Sequence, residues 1–513
     1  MYRNILFLIC FLFLFGKADA QKVFTSEDVD SLKQHIQQAM VDWKIPGLAI
    51  GIVQDGKVVM AEGFGVCKLG EDQKVDANTM FGIASNTKAF TASALGLLVN
   101  EGKLSWDDRV VDYLPYFELY DPYVSQNFTI RDLLCHRSGL ATFSGDLLWH
   151  STSYSREEII RRIKYLKPVY GFRSHYGYSN LMFLTAGEII PAITDTSFDD
   201  FLKYRFFEPL EMQNTNISIR FQKGYSNLAI PHITKEDKVI PIDYISWDNI
   251  APAGGINSTV NDMNHWLLMQ LESGSWNGKV ILPEEIQQEL WSSNMVQNVS
   301  NMQHFLFPSI HFNTYGMGWD LFDYHGRKVV NHSGGLDGMI SQVALVPEEK
   351  FGVVILTNSM NYLPYALMHT VIDLLMDYEG KNYSSIMNKL VNRNKEMEQL
   401  SIEKEEQSRN IKSKPSLALE DYTGVYTSKM YGDAEVKITD DQLFVQFKPA
   451  PVFKSKLEHW QYDTFKIEFK AFPSLPEGKL TFTINSLGKV EKMLIDVPNP
   501  DFDFTELDFV KVH

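Results

Sequence analysis

Cysteine is nearly absent. The 513 residues contain three, and Cys10 lies in an apolar leader, which leaves Cys67 and Cys135 for the body of the chain. Two cysteines cannot staple a fold of this size, and neither a CxxC pair nor a Cys/His cluster with metal spacing occurs. The chain reads as needing no metal or other cofactor, with both cysteines buried and unpaired as small apolar residues. Basic runs are missing too. Lys and Arg number 48 against 64 Asp and Glu, a formal charge of −16. That balance argues against a nucleic-acid partner, which needs a basic face. Past the leader, no stretch reaches the ~18 consecutive apolar residues of a membrane span. Repeats and low-complexity tracts are lacking.

What is present begins with the leader. Arg3 precedes an apolar run from Ile5 to Phe15, and Ala18-Asp19-Ala20 gives a small-residue cleavage pattern. Together they predict a signal peptide over 1–20. The product is then secreted, with the periplasm as expected compartment and no membrane insertion after cleavage.

Val29, Leu32, Ile36 and Met40 predict a helix over 26–43, with Ser26 as its cap. Asp55-Gly56 between apolar runs predicts a hairpin. Further helices are expected over 85–101, 154–166, 179–192, 259–273 and 361–378. Strands are expected at 341–346 and 352–357. From 384 to 418 Lys, Arg, Glu, Gln, Asn and Ser dominate, a charged and partly helical linker with Glu403 to Glu406 on a solvated face. Short alternating runs such as Leu443-Phe444-Val445-Gln446-Phe447 fill 419–513, the pattern of a small all-β barrel.

The chemistry is concentrated in three places. The first is Ser85-Asn86-Thr87-Lys88 at the head of a helix. A serine hydroxyl needs a base to become a nucleophile. Position i+3 shares its face, so Lys88 reaches Ser85, and burial lets a lysine give up its proton. The second is Tyr178-Ser179-Asn180, where the phenol can relay a proton and the amide can donate to Lys88 and to a substrate carbonyl. The third is His332-Ser333-Gly334-Gly335 on a strand. Glycine on an edge strand lets a substrate backbone approach closely. The amides of Gly335 and Ser85 suit an oxyanion hole, and His332 offers a donor or an adjustable cation beside Tyr178.

In this order the three boxes resemble those of class C β-lactamases, DD-peptidases, D-aminopeptidases and related serine esterases. Leu133 to Leu140, Pro252 to Thr259 and Tyr315 to Trp319 are similar to that group as well. The resemblance covers about 25–380. It implies an α/β fold of α+β type: an antiparallel sheet flanked by helices, with a helical insert at about 105–310. The groove between sheet and insert would hold the site. The tail more loosely resembles a lipocalin-like domain. The third box opens on His332 where class C β-lactamases carry lysine, as in some DD-peptidases and D-aminopeptidases.

The implied units are a hydrolase domain over 21–383, the linker, and the barrel, through which the chain could self-associate. The implied catalytic residues are Ser85, Lys88 and Tyr178, with Asn180, His332, Gly334 and Gly335 binding substrate or oxyanion. Which of Lys88 and Tyr178 takes the first proton stays open. Expected substrates are a small amide or peptide of D-residue or cell-wall type, then a short-chain ester, then a β-lactam. A penicillin-binding sensor without turnover is the non-enzymatic alternative. His136 reads as a loop-packing residue, Gly254-Gly255 as a tight turn, and Trp319 and Phe322 as core.

Overall fold

The computed structural model describes residues 22–222 and 224–512. The leader expected over 1–20 lies outside them. Among the described residues no helix is long and apolar enough to cross a membrane.

The first helix is Ser26–Trp43, as the apolar spacing predicts, but its cap is Thr25 rather than Ser26. The Thr25 hydroxyl accepts from the Asp28 amide, and the Asp28 carboxylate accepts from the Thr25 amide. This reciprocal box satisfies two orphan donors, which Ser26, one residue further in, is not placed to do. The Asp-Gly hairpin joins strands Gly47–Gln54 and Lys57–Gly65.

Eight strands form one antiparallel sheet. Its order is Lys57–Gly65, Gly47–Gln54, Phe351–Thr357, Met339–Val346, Arg327–Leu336, Asp320–Tyr324, Asn313–Tyr315 and Met295–Gln297. The sheet is thus assembled from both ends of this unit. One strand of this sheet, Met295–Gln297, lies within the insert expected at about 105–310, and a short helix, Asn301–Leu306, follows it. Three-residue strands are too short for a period-2 pattern to register.

Helices cover both faces. The helices Ser26–Trp43 and Leu363–Leu375 pack on one through Leu32, Ile36, Leu367 and Val371. Thr87–Asn100, Val260–Leu271 and the rest of the insert pack on the other. Double cover is why Gly47–Gln54 and Phe351–Thr357 are buried at every position. The helix Thr87–Asn100 is buried from Thr87 through Leu98, so it runs through the interior instead of lying on it. Cys67 and Cys135 are buried and free, as composition predicts, and Trp319 and Phe322 are core.

The charged stretch is a helix, Tyr383–Ser408, exposed along most of its length. Nine strands follow in a second antiparallel sheet. Its terminal strands, Lys454–Lys456 and Glu458–Gln461, are separated only by Leu457, so the sheet curls until its edges nearly meet. Tyr426, Phe447, Phe465, Phe482 and Phe509 fill this barrel. It docks on the helical insert. Tyr154 donates to the Tyr431 carbonyl at 2.6 Å and Arg162 to that of Met430 at 2.8 Å. The buried His150 ring stacks on Phe502 at 4.4 Å.

Candidate active site

Ser85 lies in a 3-10 turn, Ala84–Asn86, that leads directly into the helix Thr87–Asn100. The sequence places Ser85 at the first turn of an α-helix; the tighter turn precedes it because Ala84 bends the chain with φ at 45°. A left-handed alanine costs on the order of 1 kcal/mol or more and persists only where its surroundings hold it. Ser341 does much of that holding. It donates to the Ile83 carbonyl at 2.7 Å and accepts from the Asn86 amide side chain at 2.8 Å. Ser85 keeps 9 % of its surface accessible, whereas Lys88 has none.

The Lys88 amine donates to Ser85 Oγ at 3.0 Å, Asn180 Oδ1 at 2.7 Å and the Ala253 carbonyl at 2.8 Å. Three partners saturate an ammonium. A neutral amine keeps two of them and accepts from Ser85 instead. Burial pushes Lys88 down to about 7, against the opposing pull of Asp146. Asp146 is itself buried and pushed up to about 7 by that burial. It accepts from Asn180 Nδ2 at 2.6 Å. The direction at Asn180 is therefore the reverse of the sequence expectation. Its amide accepts from the lysine, because an ammonium can only donate, and its nitrogen turns to the carboxylate.

Tyr178 lies over this group, its ring centroid 4.7 Å from the lysine nitrogen. Burial pushes its phenol well up, and a hydrogen bond with Ser85 only partly offsets this, so it stays protonated. His136 is a packing residue, as expected. Its ring lies 4.2 Å from that of Tyr178 and its Nδ1 accepts from the Ser179 amide at 3.0 Å.

His332 departs from expectation. Its Nδ1 donates to the Ser333 carbonyl at 2.6 Å, and its Nε2 accepts from the Tyr315 hydroxyl at 2.9 Å. Burial pushes the imidazole down to about 3. It is neutral at physiological pH, with both nitrogens occupied, so His332 supplies no cation beside Tyr178.

The strand Arg327–Leu336 is internal to the sheet, yet its second half has a free edge. On one side it pairs with Met339–Val346 as far as Leu336. On the other, pairing with Asp320–Tyr324 stops at Asn331. His332 to Leu336 therefore have no neighbouring strand on that side, although the Ser333 carbonyl is taken by the His332 ring. Gly334 faces the nucleophile turn: a Cβ there would lie 2.3 Å from the Ile83 carbonyl and 2.9 Å from the Ser85 nitrogen. Gly335 faces the opposite way and is exposed.

The structure thus gathers Ser85, Lys88, Tyr178, Asn180, His332 and Gly334 into one group, with Gly335 next to Gly334 on the strand. Asp146 and Ser341 belong with them and carry no sequence signal. Asp146 stands 34 residues before the amide it holds. Gly254-Gly255 closes a turn, as expected, and the preceding carbonyl at Ala253 serves Lys88. Among the described residues, no group of His, Cys, Asp and Glu could hold a metal ion.

A free amine at Lys88 sets a pH limb. If Lys88 takes the Ser85 proton, turnover should rise about tenfold per pH unit up to about 7 and then level off, because only the deprotonated amine can accept it. Asp146→Asn removes the charge that holds a proton on Lys88, so the limb should move to lower pH. A kcat/KM profile between pH 5 and 9 for both proteins checks this. A wild-type limb absent from that range would remove Lys88 as base.

Residues 32–375 match the family model described as Beta-lactamase, and 408–511 match a domain of unknown function (DUF3471). The unguisins hydrolase ungD' of Aspergillus campestris is 29% identical over 378 residues, 69% of this chain and 67% of its own length. The related ungD of Aspergillus violaceofuscus is 27% identical over 365 residues, 66% of this chain and 64% of its own length. Protein flp of Staphylococcus aureus (strain MW2) is 25% identical over 372 residues, 71% of this chain and 69% of its own. Among solved structures, the octameric penicillin-binding protein homologue from Pyrococcus abyssi superposes with a TM-score of 0.62 at 23% identity. That match covers 94% of this chain and all of the other, and it speaks to the fold.

Proposed function

The chain belongs to the beta-lactamase family and has its fold, and from that premise we propose that it is a secreted serine hydrolase acting through an acyl-enzyme. One observation carries the reading: a wholly buried Lys88 amine held 3.0 Å from the Ser85 hydroxyl, with a proton affinity brought near neutrality. Ser85 Oγ attacks a carbonyl carbon while its proton passes to the free amine of Lys88. The amides of Ser85 and Gly335 take up the oxyanion, each contributing about 3 kcal/mol. Tyr178, still protonated, hands its proton to the departing nitrogen and recovers one from Lys88. The ester on Ser85 is then cleaved by water.

The substrate class proposed is a small amide or peptide, of D-residue or cell-wall origin. The free edge at His332 to Leu336 supports it, since an extended peptide can add its backbone there as a further strand. Two relatives are named hydrolases of unguisins, which agrees with a hydrolytic role. The periplasm is the compartment this reading favours.

Labelling with a fluorescent penicillin, then turnover of p-nitrophenyl acetate, D-Ala-p-nitroanilide and nitrocefin, tests the proposal. Ser85→Ala should abolish labelling and lower turnover by about three orders of magnitude. D-Ala-p-nitroanilide should be cleaved best. Preference for the acetate would make the protein an esterase, and preference for nitrocefin a β-lactamase. Equal behaviour of wild type and Ser85→Ala would leave a non-catalytic binding protein.

A further inference from the structure

The barrel does more than rest against the insert. Glu506, in the 3-10 turn Phe504–Glu506, extends from the barrel into the loop that precedes Asp146. Its carboxylate accepts from the Ser144 hydroxyl and, at 2.7 Å, from the Gly145 amide. This loop is awkward to hold by itself. Phe143 and Gly145 both adopt left-handed backbone, with φ at 62° and 79°. A non-glycine residue such as Phe143 needs outside support to stay there.

The same loop touches the catalytic group at two points. The Phe143 amide donates to the Tyr178 carbonyl at 2.8 Å, and its ring meets that of Tyr178 at 5.4 Å. Next along the chain, Asp146 holds Asn180, which in turn holds the Lys88 amine. A continuous series of contacts therefore runs from the barrel to the base: Glu506, Ser144 and Gly145, Asp146, Asn180, Lys88. We propose that Glu506 is a positioning residue for the acyl-transfer site, steadying the 143–146 loop so that Asn180 and Tyr178 stand correctly over Lys88 and Ser85. This rests on the reading of the site as a serine hydrolase.

A positioning role predicts a loss in kcat rather than in KM, because no substrate atom is touched. The full chain, assayed with p-nitrophenyl acetate, should show kcat for Glu506→Ala down about tenfold or more with KM within about twofold. Glu506→Gln keeps an acceptor for the Gly145 amide, and the Ser144 hydroxyl can accept from its nitrogen, so it should stay within about threefold of wild type. Ser144→Ala cuts the same contact from the other side and should be epistatic: Glu506→Ala with Ser144→Ala should be no worse than Glu506→Ala alone. Arg162→Ala loosens the barrel without touching the loop and should leave kcat within about twofold.

A wild-type kcat in a folded Glu506→Ala protein overturns the proposal. So does an Arg162→Ala loss equal to that of Glu506→Ala, which would reduce the effect to docking. If Glu506→Ala fails to fold, the Ser144→Ala and Glu506→Gln proteins decide: wild-type kcat in Ser144→Ala, or a tenfold loss of kcat in Glu506→Gln matched by Arg162→Ala, overturns it. Equal turnover by wild type and Ser85→Ala is a different failure. It removes the hydrolase reading first, and the positioning role with it.

Discussion

Lys88→Met should cost about three orders of magnitude in kcat/KM, or more, while leaving the protein folded. Methionine fills nearly the same volume in a site closed to solvent, so packing survives. What disappears is the amine 3.0 Å from Ser85 Oγ, the base of the proposed mechanism. The neighbouring groups cannot replace it. The Tyr178 phenol holds its proton too firmly at neutral pH, and the imidazole of His332 has both nitrogens engaged. Any remaining hydrolysis should also lose the limb near pH 7. Initial rates with p-nitrophenyl acetate, read beside circular dichroism, measure both effects. Residual activity within about tenfold of wild type would transfer the base role away from Lys88.

Gly334→Ala comes next in size and works by geometry alone. The new methyl would meet the Ile83 carbonyl at 2.3 Å, the Ser341 hydroxyl at 2.5 Å and the Ser85 nitrogen at 2.9 Å. Two of these are backbone atoms of the nucleophile turn, and the third is the hydroxyl that pins it. None is the far end of a flexible side chain, so the turn has to shift by several tenths of an ångström. A displacement approaching 1 Å at a reacting atom is worth about a hundredfold in rate. The expected result is a loss of that order in kcat, with a moderate drop in melting temperature. Gly335→Ala makes the comparison informative. Its methyl would come no closer than 3.3 Å, to Ile340, and should leave the melting temperature nearly unchanged.

These two predictions divide what the sequence discloses from what it hides. Spacing along the chain is legible, so Ser85 with Lys88, Tyr178 with Asn180, and His332 with its glycines can all be picked out. The long helices and the alternating strands of the barrel are legible for the same reason: period 3.6 and period 2 survive in the residue order. Charge state is not. The histidine at 332 is neutral because of what buries it and because Tyr315 and the Ser333 carbonyl engage its nitrogens, and residue order says nothing of that burial. Hydrogen-bond direction at Asn180 depends on Asp146, which sits in no recognisable motif. The short strands Met295–Gln297 and Asn313–Tyr315 offer too few residues for any period. Glu506 is the most remote case, 361 residues from the Gly145 amide it accepts from. Only the docking of two units brings them together.

That long reach gives the order of synthesis a meaning. Ser85, Lys88, Tyr178 and the glycines at 334 and 335 have all been synthesised by residue 335, and the last strand of the first sheet ends at residue 357. The clamp on the 143–146 loop is made some 150 residues later, when Glu506 emerges. For that interval the 143–146 loop lacks its contacts with Glu506. On the proposed reading, the final contact around the site is contributed by the unit that is made last.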